Sequence, residues 1–268
     1  MAAALDVKIE KVQHSRLANT TLENIPFGRV FTDHMLEADY IDGAWTNVVI
    51  RPYQPLQFDP SLAALHYGQS IFEGLKAYKN AEGEVILFRP DMNAKRFAES
   101  AARMCMPEVP EEIFLEAVKQ LVAVDKDWVT DRPGYSLYIR PFLFGTDELV
   151  GIKPSDTYKF MVITSPVGAY YAEPVRVKIE EHYTRAAKGG VGRAKAAGNY
   201  AGQFYPTNLA NKEGFQQVIW TDDATHTKLE EAGTMNVFFR INDTLFTAPT
   251  SERILDGVTR KSLIDLAK

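Results

Sequence analysis

Two segments of the chain, 135–144 and 158–164, are rich in aromatic and β-branched residues, a composition typical of strands buried within a sheet. Ahead of them, residues 91–104 and 111–124 carry apolar side chains at helical spacing, and Pro107 ends the first of these helical patterns. Because helical and strand patterns both recur along the chain, the sequence predicts an α/β (α+β) protein.

Shorter segments extend this pattern over the rest of the chain. An Asp-Gly pair at 42–43 predicts a hairpin turn that leads into a strand at 45–51, and a second hairpin is indicated at 75–78 and 84–89. Residues 64–74 resemble a helical turn followed by a loop. In the second half of the chain, the same signals predict a helix at 203–213 and strands at 175–180, 217–220, 235–241 and 244–247.

Length and composition favour two packed domains. With 268 residues, of which 46% are hydrophobic and 24% charged, the chain can bury a large core. The stretch 165–174 is linker-like, because its prolines bracket small and aromatic residues. We therefore expect a small N-terminal domain at 1–165, an interdomain loop at 166–178 and a larger domain at 179–268.

Charge and hydropathy argue against several classes of partner. A net charge of −5, with Lys and Arg scattered among Asp and Glu, gives no general attraction to nucleic acid or to anionic lipid. No apolar stretch approaches the roughly 20 residues that span a membrane, and the N-terminus has neither the basic flank nor the apolar run of an export signal. The single cysteine, Cys105, is interpreted as a small apolar residue at a helix end. We expect a cytoplasmic protein.

The segment Gly-Gly-Val-Gly at 189–192 suggests a phosphate-binding loop, but the common nucleotide motifs do not fit it. A dinucleotide fingerprint requires a third glycine where Lys195 stands, and a triphosphate loop requires Gly-Lys followed by Ser or Thr. None of the five histidines is paired at ligand spacing, so no metal site is expected, and no serine lies in a Gly-x-Ser-x-Gly elbow.

Lys195 is the most informative residue of this segment, because it lies among small residues. Close packing would bury its amine and lower its pKa from a reference value of about 10.4, and an uncharged amine can form a Schiff base. A solvated lysine in a glycine-rich loop would have the same spacing. The spacing alone leaves both interpretations open.

Six segments, taken in order, resemble the branched-chain amino-acid aminotransferases. This family belongs to the class IV pyridoxal-phosphate aminotransferases, which also include D-amino-acid aminotransferases and aminodeoxychorismate lyases. The resemblance implies the family's two-domain fold, a small α/β domain followed by a larger cofactor-binding domain, and pyridoxal 5'-phosphate as the cofactor. It extends from about Phe27 to the end of the chain, and the segments that carry it are 27–35, 65–78, 87–96, 136–141, 189–200 and 229–236.

By this resemblance, three side chains would bind the reactive part of the cofactor. Lys195 would form the Schiff base, and its amine would then act as general base and acid at the substrate α-carbon. Glu231 would pair with the pyridine nitrogen and keep it protonated, whereas its neighbour Glu230 is interpreted as a surface acid. Tyr200 would form a hydrogen bond with the phenolic oxygen of the cofactor.

Further residues would bind the phosphate group. The resemblance assigns this role to Arg96, together with the backbone N–H groups of Val258 and Thr259 at the start of a helix. Arg185 is an additional candidate beside the phosphate or the substrate.

The substrate pocket has to accept branched apolar side chains and also the side-chain carboxylate of glutamate. The resemblance implies that Arg140 meets that carboxylate and that Thr234 contacts the α-carboxylate. Some of the apolar wall, namely Tyr138, Val150 and Ile152, comes from a neighbouring subunit in the family, which implies a homodimer. The complete wall would be Phe27, Tyr67, Phe72, Tyr138, Val150 and Ile152.

The expected reaction is transfer of the amino group of leucine, isoleucine or valine to 2-oxoglutarate. Family members continue well beyond the position of Lys268, so we expect the larger domain to be incomplete relative to the family. Two alternatives stay open at this point: a D-amino-acid aminotransferase or lyase of the same fold, and a truncated fragment without catalytic activity.

Overall fold

The structure, a computed structural model, describes residues 7–171 and 173–268. The N-terminal residues that bear on an export signal, and Ala172 of the predicted interdomain loop, lie outside the described residues. The chain divides into two compact units, Met1–Tyr170 and Tyr171–Lys268, termed the first and the second unit. The division falls inside the segment 166–178. Within the described ranges, no helix combines the length and the apolar character needed to cross a membrane.

A mixed sheet forms the centre of the first unit. The elements are β1 (Lys8–Ile9), β2 (His34–Ile41), β3 (Ala44–Pro52), α1 (Ala63–Tyr67), β4 (Ser70–Phe72), β5 (Leu75–Lys79), β6 (Val85–Leu87), α2 (Pro90–Arg103), α3 (Glu111–Val124), β7 (Ser136–Gly145) and β8 (Tyr158–Val167), with short 3-10 turns at Arg16–Asn19 and Lys126–Trp128. The strand order is β1-β3-β2-β8-β7-β5-β6, and β4 also pairs with β7. Strands β1 and β3 are parallel, whereas the other neighbouring pairs are antiparallel.

The first hairpin has the turn that its sequence predicts. Asp42 and Gly43 connect β2 to β3, and their φ angles of 51° and 79° are both positive. A two-residue turn with two positive φ angles matches the twist of the strands it joins, and Asp-Gly tolerates this conformation. The predicted hairpin is therefore confirmed.

Aromatic side chains join the two helices to the sheet. The rings of Phe97 on α2 and Phe114 on α3 lie 5.4 Å apart, and Phe160 of β8 lies 5.7 Å and 6.1 Å from them. All three side chains are fully buried. Both predicted helices are confirmed, because their apolar faces supply the contacts that the helical spacing requires.

One sequence-based expectation for the first unit is wrong, and another holds only in part. The sequence predicts a loop at Ser70–Phe72, but this segment forms β4 because its backbone pairs with Phe142–Phe144 of β7, a contact distant in sequence. Cys105 lies at a helix end, as expected, directly after the C-cap residue Met104 of α2. It is exposed, however, and has a φ of 53°, so it does not pack as an apolar residue.

The second unit has a smaller sheet and a separate hairpin. Its elements are β9 (Val177–Glu180), α4 (Gly198–Ala201), α5 (Phe204–Lys212), β10 (Gln217–Thr221), β11 (Leu229–Ala232), β12 (Met235–Asn236), β13 (Phe239–Ile241), β14 (Thr244–Phe246) and α6 (Val258–Ala267). The strand order of the sheet is β12-β11-β10-β9, and β13 and β14 form the hairpin. Strands β9 and β10 are parallel, whereas β10, β11 and β12 pair antiparallel.

The predicted continuous strand at 235–241 is wrong. The chain pairs with β11 only as far as Asn236 and resumes as β13 at Phe239, where it pairs with β14 instead. The hydroxyl of Thr247 donates to the carbonyl of Val237 at this break, which fixes the chain between the two strands. The change of partner strand, which local composition does not encode, divides the segment.

Candidate active site

Lys195 lies in a turn-rich segment between β9 and α4, next to the second unit's sheet. Its amine donates a 2.8 Å hydrogen bond to the hydroxyl of Tyr200 and lies 5.2 Å from the centre of that ring. Lys195 is half-buried, and the alanines on either side of it, Ala194 and Ala196, are buried. The structure therefore brings the predicted lysine and the predicted tyrosine together.

Glycine is needed at position 192 to pack this segment so closely. A Cβ there would lie 2.4 Å from the Cβ of Ala186 and 2.7 Å from the carbonyl oxygen of Arg253. The side chain of Asn199 donates to the carbonyls of Val191 and Ala194 at 2.8 Å and 2.9 Å, which ties the segment to α4. These contacts fix the backbone on both sides of Lys195.

Glu231 is a buried carboxyl group on β11, with only 3% of its surface exposed. Burial raises its pKa from 4.5 to about 6, while the charge of Arg185, a hydrogen bond from the backbone N–H of Leu255 and the charge of Lys195 lower the pKa. Glu230 opposes them by raising it. Lys195 and Glu231 are thus electrostatically coupled within the second unit.

Two further side chains contact Glu231. The Nε of Arg185 lies 3.4 Å from one carboxylate oxygen, and Arg185 is itself buried. The amide of Asn236 donates to the other oxygen at 3.5 Å and to the carbonyl of Leu255 at 2.9 Å. By the resemblance, Arg185 would lie beside the phosphate or the substrate, whereas in the structure its guanidinium lies against the Glu231 carboxylate. Asn236 is not among the predicted site residues, although it is the last residue of the segment 229–236.

The interpretation of Glu230 as a surface acid is wrong. Glu230 is buried and forms an ion pair of 2.6 Å with Arg253, which also contacts Asp223. Because successive side chains on a strand point to opposite faces, Glu230 and Glu231 of β11 have different surroundings. Both acids are buried, and each of them has its own arginine partner.

Helix α6 begins at Val258, and Gly257 precedes it with extended backbone. A Cβ at Gly257 would lie 1.9 Å from the side-chain oxygen of Asn236, so a larger residue would displace either Asn236 or the start of the helix. The first N–H groups of a helix have no intrahelical acceptor and attract anions, which applies to Val258 and Thr259. Thr234 is exposed in the turn between β11 and β12 of the same unit.

In the first unit, Arg96 is held by an acid that the sequence analysis did not select. Its Nε and one terminal nitrogen donate to the carboxylate of Glu73 at 2.7 Å and 2.8 Å. Glu73 also accepts hydrogen bonds from the side chain of Asn93 and the backbone N–H of Gly74, and it is fully buried. The sequence contained one signal for Glu73, because it lies within the segment 65–78 that carries the resemblance.

Four of the predicted pocket residues lie together in the first unit, and one of them is Tyr138, which the resemblance assigns instead to the pocket of a neighbouring subunit. The guanidinium of Arg140 donates to the hydroxyl of Tyr138 at 2.8 Å and lies over the ring of Phe72, 4.4 Å from its centre. The ring of Phe27 packs edge-on against Tyr138 at 5.0 Å. Burial raises the pKa of the Tyr138 hydroxyl, so this group is neutral at physiological pH.

The other predicted wall residues of this unit are exposed. Tyr67 is 42% exposed at the end of α1, and Val150 and Ile152 are 66% and 95% exposed on the loop between β7 and β8. The base of that loop is held by Asp147, which accepts hydrogen bonds from the backbone of Asp156 and from other groups of the loop. These three apolar side chains are therefore left largely exposed on the first unit.

The second unit supplies groups that fit pyridoxal phosphate. Lys195 provides an amine beside a tyrosine hydroxyl, Glu231 provides a buried acid for a ring nitrogen, and the start of α6 provides N–H groups for a phosphate. Pyridoxal phosphate needs an oriented amine to bind its aldehyde and an acid to bind its ring nitrogen, and Lys195 and Glu231 meet these two requirements. In the described part of the chain, no group of His, Cys, Asp and Glu is arranged to hold a metal ion.

Comparison with known proteins leads to the same chemistry. Residues 70–268 match the family model described as Amino-transferase class IV. The chain is 48% identical to branched-chain-amino-acid aminotransferase 2 of Bacillus subtilis, over 91% of this chain and 68% of that protein. It is also 48% identical to a probable branched-chain-amino-acid aminotransferase of Staphylococcus epidermidis, over 98% of this chain and 74% of that protein.

A solved structure agrees with the fold. The branched-chain amino acid aminotransferase of T.th., determined with pyridoxamine 5'-phosphate, is 30% identical and superposes with a TM-score of 0.67, covering 86% of this chain and 73% of that one. The expected α/β fold of the class IV aminotransferases is confirmed. Enzymes of this class use pyridoxal phosphate, for which the second unit provides fitting groups. The chain belongs to the class IV aminotransferases, among the branched-chain-amino-acid aminotransferases.

Proposed function

We propose that this protein transfers the amino group of L-leucine, L-isoleucine or L-valine to 2-oxoglutarate, with pyridoxal 5'-phosphate bound through the amine of Lys195. The observation that carries the proposal is the 2.8 Å hydrogen bond between Lys195 and Tyr200 in a unit that also buries Glu231. The names of relatives that are 48% identical support the branched-chain substrates over those of a D-amino-acid aminotransferase or a lyase.

Bound pyridoxal phosphate would supply the electron sink that stabilises negative charge at the substrate α-carbon. The amine of Lys195 would hold the cofactor and then move the proton of that carbon, as base and as acid. Tyr200 would orient the amine, because its hydroxyl already accepts the lysine hydrogen bond. The amine is half-buried and hydrogen-bonded to this hydroxyl, so it is held in one orientation for this work.

Glu231 would accept a hydrogen bond from the ring nitrogen of the cofactor. Its pKa of about 6 leaves it mostly ionised at neutral pH, and a nearby protonated nitrogen would favour the ionised form further. The start of α6 at Val258 and Thr259 would bind the phosphate through backbone N–H groups. We also propose a phosphate contact for Arg96, in which the phosphate would share the guanidinium with Glu73.

The cluster around Arg140 would recognise the substrate side chain. Phe27, Phe72 and Tyr138 offer apolar surface to a branched side chain, and the guanidinium of Arg140 offers a cation to the carboxylate of glutamate. Thr234 would contact the α-carboxylate, and Tyr67 would extend the apolar surface.

We further propose a cytoplasmic homodimer in which Val150 and Ile152 complete the pocket of the partner subunit. Both side chains are exposed, at 66% and 95%, on a loop whose base is well bonded, and contact with a second copy would bury them.

Reduction with borohydride tests the assignment of the lysine. Purified protein incubated with pyridoxal phosphate and borohydride should carry the label on Lys195, found by peptide mass analysis, and K195A should carry none there. Activity should be found with L-leucine and 2-oxoglutarate. Activity with D-alanine but not with L-leucine, or a label on another lysine of the intact chain, would contradict the proposal.

A further inference from the structure

We infer that Arg185 is a positioning residue that holds the Glu231 carboxylate ionised and aimed at the cofactor's ring nitrogen. The inference deepens the proposed function and rests on it. Arg185 does not touch the cofactor in this role, because it acts through the carboxylate, whose oxygen lies 3.4 Å from its Nε.

The position of Arg185 is fixed by backbone carbonyls on two sides. One terminal nitrogen donates to the carbonyl of Gly192 at 3.0 Å and also to the carbonyl of Arg253. Gly192 is the position at which a Cβ would collide with Ala186 and Arg253, so the backbone that carries both carbonyls is closely packed. The guanidinium thus links the segment of Lys195, three residues after Gly192, to the acid on β11.

The charges around Glu231 support the same role for Arg185. Arg185 and Glu231 are 7% and 3% exposed, and a carboxylate taken out of water without a counter-charge takes up a proton. The charged groups that act on Glu231 are Arg185, Lys195 and Glu230, and Glu230 is itself paired with Arg253. In the proposed function the nitrogen of Lys195 is bonded to the cofactor, so it is no longer a free ammonium group beside Glu231. Arg185 is therefore the permanently charged side chain that keeps Glu231 ionised.

A neutral acid at 231 would lose the attraction between a carboxylate and a protonated ring nitrogen, and its hydroxyl could instead donate to an unprotonated one. Removing the charge of Arg185 should therefore change the protonation of the cofactor and weaken its binding, even though the amine of Lys195 is untouched. A residue that merely filled space would affect folding stability and leave the protonation of the ring unchanged.

The test uses the full chain loaded with pyridoxal phosphate labelled with ¹⁵N in the ring, whose ¹⁵N chemical shift reports ring protonation. At pH 7.5 the wild type should show the protonated nitrogen. We expect R185Q to shift the resonance toward the unprotonated value and to raise the cofactor dissociation constant roughly tenfold, the typical effect of losing a charged hydrogen bond. R185K keeps the charge and should restore the wild-type resonance.

R253M is the matched control, because it removes the arginine of the neighbouring acid Glu230 and leaves the carbonyl of residue 253 in place. It should lower stability without moving the ring resonance. A wild-type resonance in R185Q, or an equal shift in R253M, would overturn the inference. If R185Q does not fold, R185K decides alone, since an unprotonated ring in folded R185K contradicts a role through charge.

Different results would contradict the proposed function and the role of Arg185. If wild-type protein carries no cofactor on Lys195 after borohydride reduction, the proposed function fails. If the wild type carries it and R185Q leaves the ring protonated, the role of Arg185 alone is wrong.

Discussion

Lys195 and Tyr200 are joined by a 2.8 Å hydrogen bond from the lysine amine to the tyrosine hydroxyl, although they belong to different local structures. The lysine lies in a turn-rich segment and the tyrosine in α4, and Asn199 bonds that helix to the segment. The orientation of the amine is thus set before any cofactor binds.

Replacing Tyr200 with phenylalanine should weaken cofactor binding. Y200F loses a hydrogen bond worth about 1 kcal/mol, so the dissociation constant of pyridoxal phosphate should rise roughly fivefold. This dissociation constant is measured by titrating the protein with pyridoxal phosphate and following the visible absorbance of the bound cofactor. Y205F is the control, because Tyr205 lies on the next helix and is largely exposed. Equal affinities for Y200F and wild type would show that the hydroxyl does not orient the amine.

The cofactor-free protein should lose stability as the pH rises from about 4.5 to about 6. Burial raises the pKa of Glu231 from 4.5 to about 6, so the folded state binds this proton more tightly than the unfolded chain. The stabilisation is complete below the unfolded pKa and is lost as pH rises through the folded one. The difference between the two pKa values corresponds to about 2 kcal/mol of unfolding free energy.

Urea unfolding of the second unit between pH 4 and pH 7 measures this dependence. E231Q should show a flatter profile over that range, since the amide does not titrate. E181Q, which changes an exposed acid of the same unit, should keep the wild-type profile. An unchanged slope in E231Q would mean that another group is responsible for the pH dependence.

Adding a methyl group at Gly192 should destabilise the segment around Lys195. In G192A the new Cβ would approach the Cβ of Ala186 to 2.4 Å, and relieving such overpacking costs about 1–3 kcal/mol. Gly198 offers a matched control, because nothing lies within 4 Å of a Cβ built there. Thermal unfolding should separate the two variants, and equal midpoints would contradict the tight packing at 192.

Breaking the pair of Glu73 and Arg96 should strongly destabilise the first unit. E73Q leaves a buried guanidinium without its counter-charge, and removal of one partner of such a pair costs about 3–5 kcal/mol. The exposed pair of Glu23 and Arg132, 3.2 Å apart, should contribute only about 0–1 kcal/mol. Urea unfolding of E73Q and E23Q compares them, and similar losses would refute the importance of burial.

The sequence by itself determined the elements whose signals are local. The helices α2 and α3 follow from apolar spacing, and the turn at Asp42 and Gly43 follows from the tolerance of this pair for positive φ. The family was also recognisable from the sequence, because six segments that resemble it occur in the family's order. The comparisons with known proteins agree with this assignment.

Tertiary structure alone decided the features that depend on distant partners. Strand β4 exists because β7 pairs with it, and β12 ends because the chain changes its partner strand after Asn236. The pairing of Glu230 with Arg253 and of Glu231 with Arg185 could not be read from adjacent acids. Local patterns specify helices and tight turns, whereas strand partners and the partner of a buried charge depend on which segments the fold brings within a few ångströms.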